Sequence, residues 1–149
     1  MKVVVHGQRL QLQARRSINM AASLLAIEPT LRLKTNTANR AFYDLIVDEK
    51  KIFATKYQLY TYAIMVAILK EAEPDTSVKN IDICQVVNAN NEPANFEVAK
   101  GLVAHLCPDI TSGSDLIKRM NEFADAGIAI LQTDYNNNDG EMSLDSFID

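Results

Sequence analysis

The chain ends in TDYNNNDGEMSLDSFID, the stretch whose side chains come nearest to a calcium-binding loop. A loop of the EF-hand type needs oxygen ligands at positions 1, 3 and 5, glycine at position 6 and glutamate at position 12. With Gly140 at position 6, Asn137 and Asp139 match positions 3 and 5, whereas Tyr135 and Ser146 fall at positions 1 and 12. Because both strongest anionic positions are lost, we expect no calcium site, with a variant loop as the alternative.

A zinc site would have to use His6, Cys84, His105 and Cys107, which are all the histidines and cysteines of the chain. A structural zinc site takes four such ligands at close spacings such as CxxC. These residues show no such spacing, and both cysteines stand among apolar residues. We therefore expect no metal and no other cofactor, and we interpret the cysteines as reduced, buried thiols.

The motifs of common enzyme classes are missing from the sequence, which contains no GxxxxGK[ST], GxGxxG, HExxH or GxSxG pattern. Two pairs of carboxylates stand about one helical turn apart, Asp44 with Asp48 and Glu122 with Asp125. Such pairs are typical of solvated helix faces, so we predict that neither pair is catalytic. The sequence therefore favours a protein that is not an enzyme.

The net charge of −4 is divided unevenly along the chain. Residues 1–40 contain seven Lys or Arg and one Glu, so they carry +6, and the remaining residues carry −10. Basic segments attract phosphate backbones by counterion release, which makes Arg9, Arg15 and Arg16 candidate nucleic-acid contacts. The alternatives are that the two ends neutralise each other or that these charges are ordinary solvated surface.

The acidic end offers a second set of candidate contacts. We predict that a basic partner binds there, or that the acids mimic the charge of DNA, through Asp134, Asp139, Glu141 and Asp145.

Length and composition predict one mainly helical domain, since 149 residues with 48% apolar content suit a single core. The stretch KVVVHGQRLQLQ alternates apolar and other residues around a glycine, which predicts a small N-terminal β-hairpin. The predicted fold is mainly α (α+β), with a helical domain over residues 1–133 and an acidic tail over residues 134–149. Neither a secretory signal nor a membrane-spanning segment is recognisable, so we expect a cytoplasmic protein with no membrane partner.

Helical spacing, capping residues and prolines predict helices within residues 15–29, 35–51, 54–75, 90–109 and 112–135. In the first of these the apolar stripe consists of Ile18, Ala21, Ala22 and Leu25. Residues 77–89 fit a short strand or the start of a helix equally well. Ser114 is the predicted cap of the last helix, and Gly127 in its middle indicates close approach to another helix.

Residues 59–69 are apolar or aromatic at almost every position, which predicts a helix buried on all sides at the centre of the fold. Tyr57, Tyr60 and Tyr62 could stack nucleobases. On so apolar a helix, tyrosines are more typical of a core or an interface.

Two stretches resemble a known family. They are AFYDLIVDEKKIFATKYQLYTYAIMVAILKE, a short helix followed by an apolar helix, and MNEFADAGIAIL, followed directly by the acidic end. Together they are similar to small accessory proteins of phosphorothioate-type (Dnd-like) DNA modification and restriction systems, which act in defence against phage. The resemblance covers about a third of the chain, near residues 41–72 and 120–131. It implies a non-enzymatic defence component beside DNA-handling partners, and it carries over no catalytic residues.

The expected function is therefore that of an accessory or adaptor subunit in a prokaryotic anti-phage defence complex, acting by binding proteins and, through its basic segment, DNA. The alternative is a phage- or plasmid-encoded acidic inhibitor of a host DNA-binding protein. A calcium-responsive module is a third hypothesis. Homo-oligomer formation is left open by the sequence.

Overall fold

The computed structural model describes residues 31–86 and 92–142, and the structural statements below concern these residues. The elements follow in the order β1 (Arg32–Thr35), a 3-10 turn (Thr37–Asn39), α1 (Arg40–Tyr43) continued by a π-helix (Asp44–Glu49), α2 (Lys56–Leu69), β2 (Ile81–Gln85), α3 (Phe96–Leu106) and α4 (Gly113–Asn137). The mainly helical fold class predicted from the sequence is confirmed. Within the described ranges, no helix is both long enough and apolar enough to cross a membrane.

The described part of the chain also contains a small antiparallel sheet of two strands, β1 at its start and β2 after α2. In β1 and β2, Arg32 lies opposite Gln85 and Thr35 opposite Ile81, with a register shift between Leu33 and Lys34. Residues 77–89 fitted a short strand or the start of a helix in the sequence, and the structure places the strand β2 there.

The hairpin predicted within residues 2–13 and the helix predicted within residues 15–29 lie outside the described residues.

Helix α2 occupies the centre of the molecule. Thr55 caps it, because its hydroxyl accepts a hydrogen bond from the Gln58 backbone N–H at 3.1 Å. Its buried side chains are Tyr57, Leu59, Tyr60, Thr61, Ala63, Ile64, Val66 and Ala67. The prediction of a core helix is confirmed, but its burial on all sides is not, since Gln58 and Leu69 are exposed.

The segment before α2 is a capped turn followed by helix. Asn36 starts it as a cap, accepting a hydrogen bond from the Asn39 backbone N–H at 2.9 Å. The π-helix then ends with a bond of 2.8 Å from the Lys50 N–H to the Leu45 carbonyl. Its adjacent residues Ile46 and Val47 are both buried.

The helices α2 and α4 approach each other backbone to backbone. A Cβ atom built on Gly127 would lie 1.8 Å from the carbonyl oxygen of Ala63, far inside van der Waals contact. Glycine is therefore the one residue type that fits this position without moving a helix, which confirms the close approach predicted from the sequence.

One detail of the predicted helices was wrong. Ser112, not Ser114, caps α4, and its hydroxyl accepts from the Asp115 backbone N–H at 3.1 Å.

We expect Gly127→Ala to lower the free energy of unfolding by about 3 kcal/mol, the upper end of the usual range, because the added methyl group overpacks a backbone contact. Gly101→Ala is the matched control, since a Cβ on Gly101 meets nothing within 4 Å. In an exposed helix interior this change stabilises by up to about 1 kcal/mol. Urea unfolding of both variants measures the difference, and similar values for the two would contradict the contact.

Candidate functional site

A fully buried carboxylate, Asp125 on α4, organises the polar interior. Its Oδ1 accepts from the Thr35 hydroxyl at 2.5 Å and from the Asn39 amide at 3.1 Å, and its Oδ2 accepts from the Asn36 backbone N–H at 3.1 Å. The Lys79 ammonium lies 2.8 Å from the same Oδ2. Asp125 has no solvent exposure, so this cluster balances a charge that would otherwise be very costly to bury.

The cluster also fastens the long connection between α2 and β2. The Lys79 ammonium donates to the Asp75 carbonyl at 2.7 Å, and the Asp75 N–H donates to the Glu122 carbonyl at 3.0 Å. One carboxylate thus ties the end of β1, the 3-10 turn and this connection to α4.

Glu122 and Asp125 were predicted to lie on a solvated face, and this prediction was wrong. Both are buried, at 7% and 0% exposure, because the face of α4 that carries them packs beneath β1 and the connection before β2. Thr35 is only 1% exposed as well. Thr35 and Asp125 therefore face inward, where together with the partly buried Lys79 they position backbone segments.

The second pair of carboxylates is on the surface, as predicted. Asp44 and Asp48 both lie beside the Lys56 ammonium, at 2.7 and 3.8 Å. An exposed arrangement of this kind contributes little to stability.

Three tyrosines of α1 and α2 sit in the core. The Tyr57 hydroxyl donates to the Val86 carbonyl at 2.9 Å, and the Tyr60 hydroxyl donates to Asn121 Oδ1 at 2.7 Å. The Tyr43 hydroxyl is buried and has no hydrogen-bond partner among the described residues. Burial raises the pKa of all three phenols, so they remain neutral at physiological pH.

Both cysteines are free, half-buried thiols. Burial raises the pKa of Cys84 to about 11, and it also raises the pKa of Cys107. At neutral pH both are thiols rather than nucleophilic thiolates. Over residues 31–86 and 92–142, no three His, Cys, Asp or Glu residues converge as a metal site would require.

The predicted nucleic-acid contacts Arg9, Arg15 and Arg16, and the predicted partner contact Asp145, lie outside the described residues. Asp134 belongs to the last turn of α4, which continues beyond residue 133 to Asn137. Asp139 and Glu141 follow the helix and are exposed. Three of the predicted acidic contacts therefore lie close together at one end of α4.

The stretch that looked like a calcium loop ends α4. Asp139 and Gly140 both have positive φ, at 55° and 82°, which turns the chain out of the helix. The Gly140 N–H donates to the Tyr135 carbonyl at 2.9 Å, and the Asn138 N–H donates to the Asp134 carbonyl at 3.0 Å. This pattern is a Schellman-type helix end, in which asparagine, aspartate and glycine are used for their backbone conformations.

An open apolar groove runs along the outer side of α2 and is the candidate binding site. The name α2 groove is used below for this cleft of about 420 Å³, whose walls are Phe53, α2 from Gln58 to Leu69, and the turn of residues 93–95. Leu69 at one end is 55% exposed. The rings of Phe53 and Tyr62 pack 5.3 Å apart in one wall.

The polar groups of the α2 groove are few and neutral. They are the side chains of Gln58, Thr61, Asn95 and the phenol of Tyr62, and among them the Thr61 hydroxyl already donates to the Tyr57 carbonyl. An apolar floor with a few uncharged polar groups suits an apolar ligand surface better than a charged one. The sequence predicted that the α2 residues of this groove belong to a core helix. The only indication of a binding surface in the sequence was that α2 is apolar at almost every position.

Comparison with known proteins adds no relative: no protein-family model, curated protein or solved structure matches this chain.

We expect Asp125→Asn to lower the free energy of unfolding by about 3 kcal/mol, because the largely buried Lys79 ammonium loses its contact of 2.8 Å and keeps only the longer one of 3.4 Å to Asp75 Oδ1. Asp82→Asn is the matched control: this exposed carboxylate pairs with Arg32 at 3.1 Å, and its loss costs less than about 1 kcal/mol. Urea unfolding gives both values. Equal losses would show that the buried cluster is not the anchor described above.

Proposed function

We propose that this chain works by binding, as a non-enzymatic accessory or adaptor subunit of a prokaryotic anti-phage defence complex. The observation that supports this function is the α2 groove, an open apolar cleft on an otherwise buried helix. Contiguous apolar surface on a small protein usually marks a site of interaction. The α2 side of the groove lies wholly within residues 41–72, the stretch that resembles Dnd-like accessory proteins.

The shape of the α2 groove suits an amphipathic helix of the partner protein. Gln58 and Leu69 are eleven residues apart on one helix, so the groove is about 16 Å long, or three helical turns. Helices that dock in such grooves insert apolar side chains at positions i, i+3 or i+4, and i+7. Met65 and Leu69 would contact those side chains, while Asn95 would hydrogen-bond at the rim.

DNA is a further candidate partner in this proposal, through Arg9, Arg15 and Arg16. This contact stays a prediction from the charge of the sequence, and the groove does not depend on it.

We expect Leu69→Glu to lose the groove partner, because a charge at an exposed edge of the groove must be desolvated when an apolar helix docks. Val98→Glu is the control, since Val98 on α3 is similarly exposed, at 51%, and does not line the groove. The tagged full-length protein and both variants are used as bait in a nuclease-treated prokaryotic lysate, with quantitative mass spectrometry of the retained proteins.

The expected outcome is a protein retained by the wild type and Val98→Glu, and retained at least about tenfold less by Leu69→Glu, equal to a loss of at least about 1.4 kcal/mol. If that protein is a DNA-modification or restriction subunit, the defence assignment is supported. Identical sets of proteins for all three baits would contradict a role for the groove.

The acidic end of α4 favours a second candidate function, an acidic inhibitor of a basic DNA-binding protein. The sequence has no Lys or Arg after Arg119, while Asp134, Asp139 and Glu141 lie around the helix end. Negative charge at the C-terminus of a helix is unfavourable by about 0.3–1 kcal/mol. Asp139 serves the helix end through its positive φ, and Asp134 accepts from the Asn138 amide at 2.9 Å, but neither role needs a negative charge. A basic partner is therefore a reason for the charge of these residues.

If this second function holds, the combined change Asp134→Asn, Asp139→Asn and Glu141→Gln weakens binding to a basic DNA-binding protein and flattens its salt dependence. The control removes the same charge from exposed acids elsewhere, by Glu49→Gln, Glu71→Gln and Glu73→Gln. Titration at two salt concentrations measures both effects. Equal effects of the two triple changes would reduce the interaction to net charge and reject a specific acidic site.

A further inference from the structure

Helix α3 is apolar on the side that faces the core and also on the side that faces away from it. Its buried side chains are Phe96, Ala99, Lys100, Val103 and Ala104. On the outer side Val98 is 51% exposed and Leu106 is 50% exposed. Among the described residues four large apolar side chains are exposed, and these two lie on one helix. The name α3 face is used below for the outer stripe with spacing i, i+3, i+4, i+7 and i+8, which consists of Val98, Gly101, Leu102, His105 and Leu106.

The glycine in the middle of the α3 face has no packing partner among the described residues. A Cβ atom built on Gly101 would meet nothing within 4 Å, whereas one built on Gly127 would overlap the backbone of Ala63. Glycine inside a helix is less favourable than alanine, and at Gly127 the approach of α2 offsets this disadvantage. Gly101 is open and stands among exposed apolar side chains, so it suits a helix that approaches α3 from outside this chain.

A second copy of this chain supplies a helix that fits the α3 face. When two α3 helices lie antiparallel with a two-fold axis between Gly101 and Leu102, Leu102 of each copy lies over Gly101 of the other. The large side chain fills the space that the glycine leaves, and the two-fold axis repeats this contact. In the same register Val98 lies opposite His105 of the second copy, so the apolar part of the face is covered along its length.

The charge beside the α3 face favours the antiparallel arrangement. Glu97 pairs with Lys100 of its own helix at 2.6 Å, and its side chain is still 58% exposed. In the antiparallel pair it lies next to the exposed His105 of the second copy, whose imidazole N–H can donate to the carboxylate. In a parallel pair Glu97 would lie beside Glu97 of the second copy, and Gly101 beside another glycine. The parallel pair would therefore bring like charges together and leave a void.

We infer that this protein forms a dimer by antiparallel packing of the α3 faces of two copies. Each copy contributes one helix of 11 residues, which is about 16 Å long. An interface of this extent is at the small end for specific association, so the dimer is weak and reversible. The α3 face shares no residue with the walls of the α2 groove, so this inference does not rest on the proposed function.

Sedimentation equilibrium of the full-length protein between about 10 μM and 1 mM tests the self-association. We expect a dimer at the higher concentrations, which Val98→Glu weakens at least about tenfold because a charge is then buried in the interface. Leu69→Glu is the matched control, since Leu69 is 55% exposed on α2 and lies outside the α3 face. A protein that stays monomeric throughout this range, or one that both variants weaken equally, would overturn the inference.

The two variants have opposite roles in the test of the α2 groove, where Leu69→Glu loses the partner and Val98→Glu keeps it. The dimer and the proposed function can therefore fail separately. If the protein stays monomeric while Val98→Glu loses a protein from the lysate, the α3 face binds a different partner and the dimer is rejected.

Gly101→Ala distinguishes a contact at this glycine from an ordinary exposed position. We expect the variant to resist urea better than the wild type at concentrations where both are monomeric, because alanine favours the helix. Its dimer should nevertheless be at least about tenfold weaker, because the methyl group holds Leu102 of the second copy away. Greater stability with unchanged association would show that no helix packs against Gly101.

Engineered cysteines test the antiparallel register. In a background with Cys84→Ala and Cys107→Ala, the Val98→Cys protein is mixed with the His105→Cys protein under mild oxidation. These positions lie opposite each other in the antiparallel pair, whereas two Val98→Cys thiols would lie about 10 Å apart along the helices, too far for a disulfide. We expect at least about ten times more mixed disulfide than either symmetric one. A predominant symmetric disulfide, or equal amounts of all three, would overturn the register.

Discussion

The contact between the backbones of α2 and α4 is the constraint on which the rest of the structure depends. With Gly127 against the Ala63 carbonyl, the two longest described helices meet without intervening side chains. This closeness packs most of α2 into the core, and it brings Asn121 and Asp125 of α4 up to β1. A wider separation would leave the centre of the fold too loosely packed, since protein interiors tolerate few voids.

The polar cluster around Asp125 gives this apolar core a unique arrangement. Hydrophobic packing alone would tolerate small shifts of β1 and of the connection before β2. A buried carboxylate tolerates far fewer, because its hydrogen bonds from Thr35, Asn36 and Asn39 and its ion pair with Lys79 must all be kept. Since Asp125 at its centre is fully buried, this cluster accounts for the architecture, whereas the α2 groove lies on the surface.

The α2 groove and the acidic end of α4 suit partners of different chemistry. The groove is apolar with neutral polar groups, so burial of hydrophobic surface would dominate binding there. The acidic end is exposed, so its contribution would be electrostatic, would depend on salt and would mainly affect the rate of encounter. A small adaptor can use one surface of each kind, since the first provides affinity and the second guides association.

The sequence by itself determined the helical class, the central position of α2 and the close approach at Gly127, because each depends on local spacing or on one residue's backbone preferences. It could not place Asp125, which in sequence looks like any solvated acid and is buried only because β1 and Lys79 fold over it. The α2 groove was equally hidden, since periodicity marks a helix as apolar without showing which side its neighbours leave uncovered. Those features depend on contacts between residues up to ninety positions apart, and only the tertiary structure decides them.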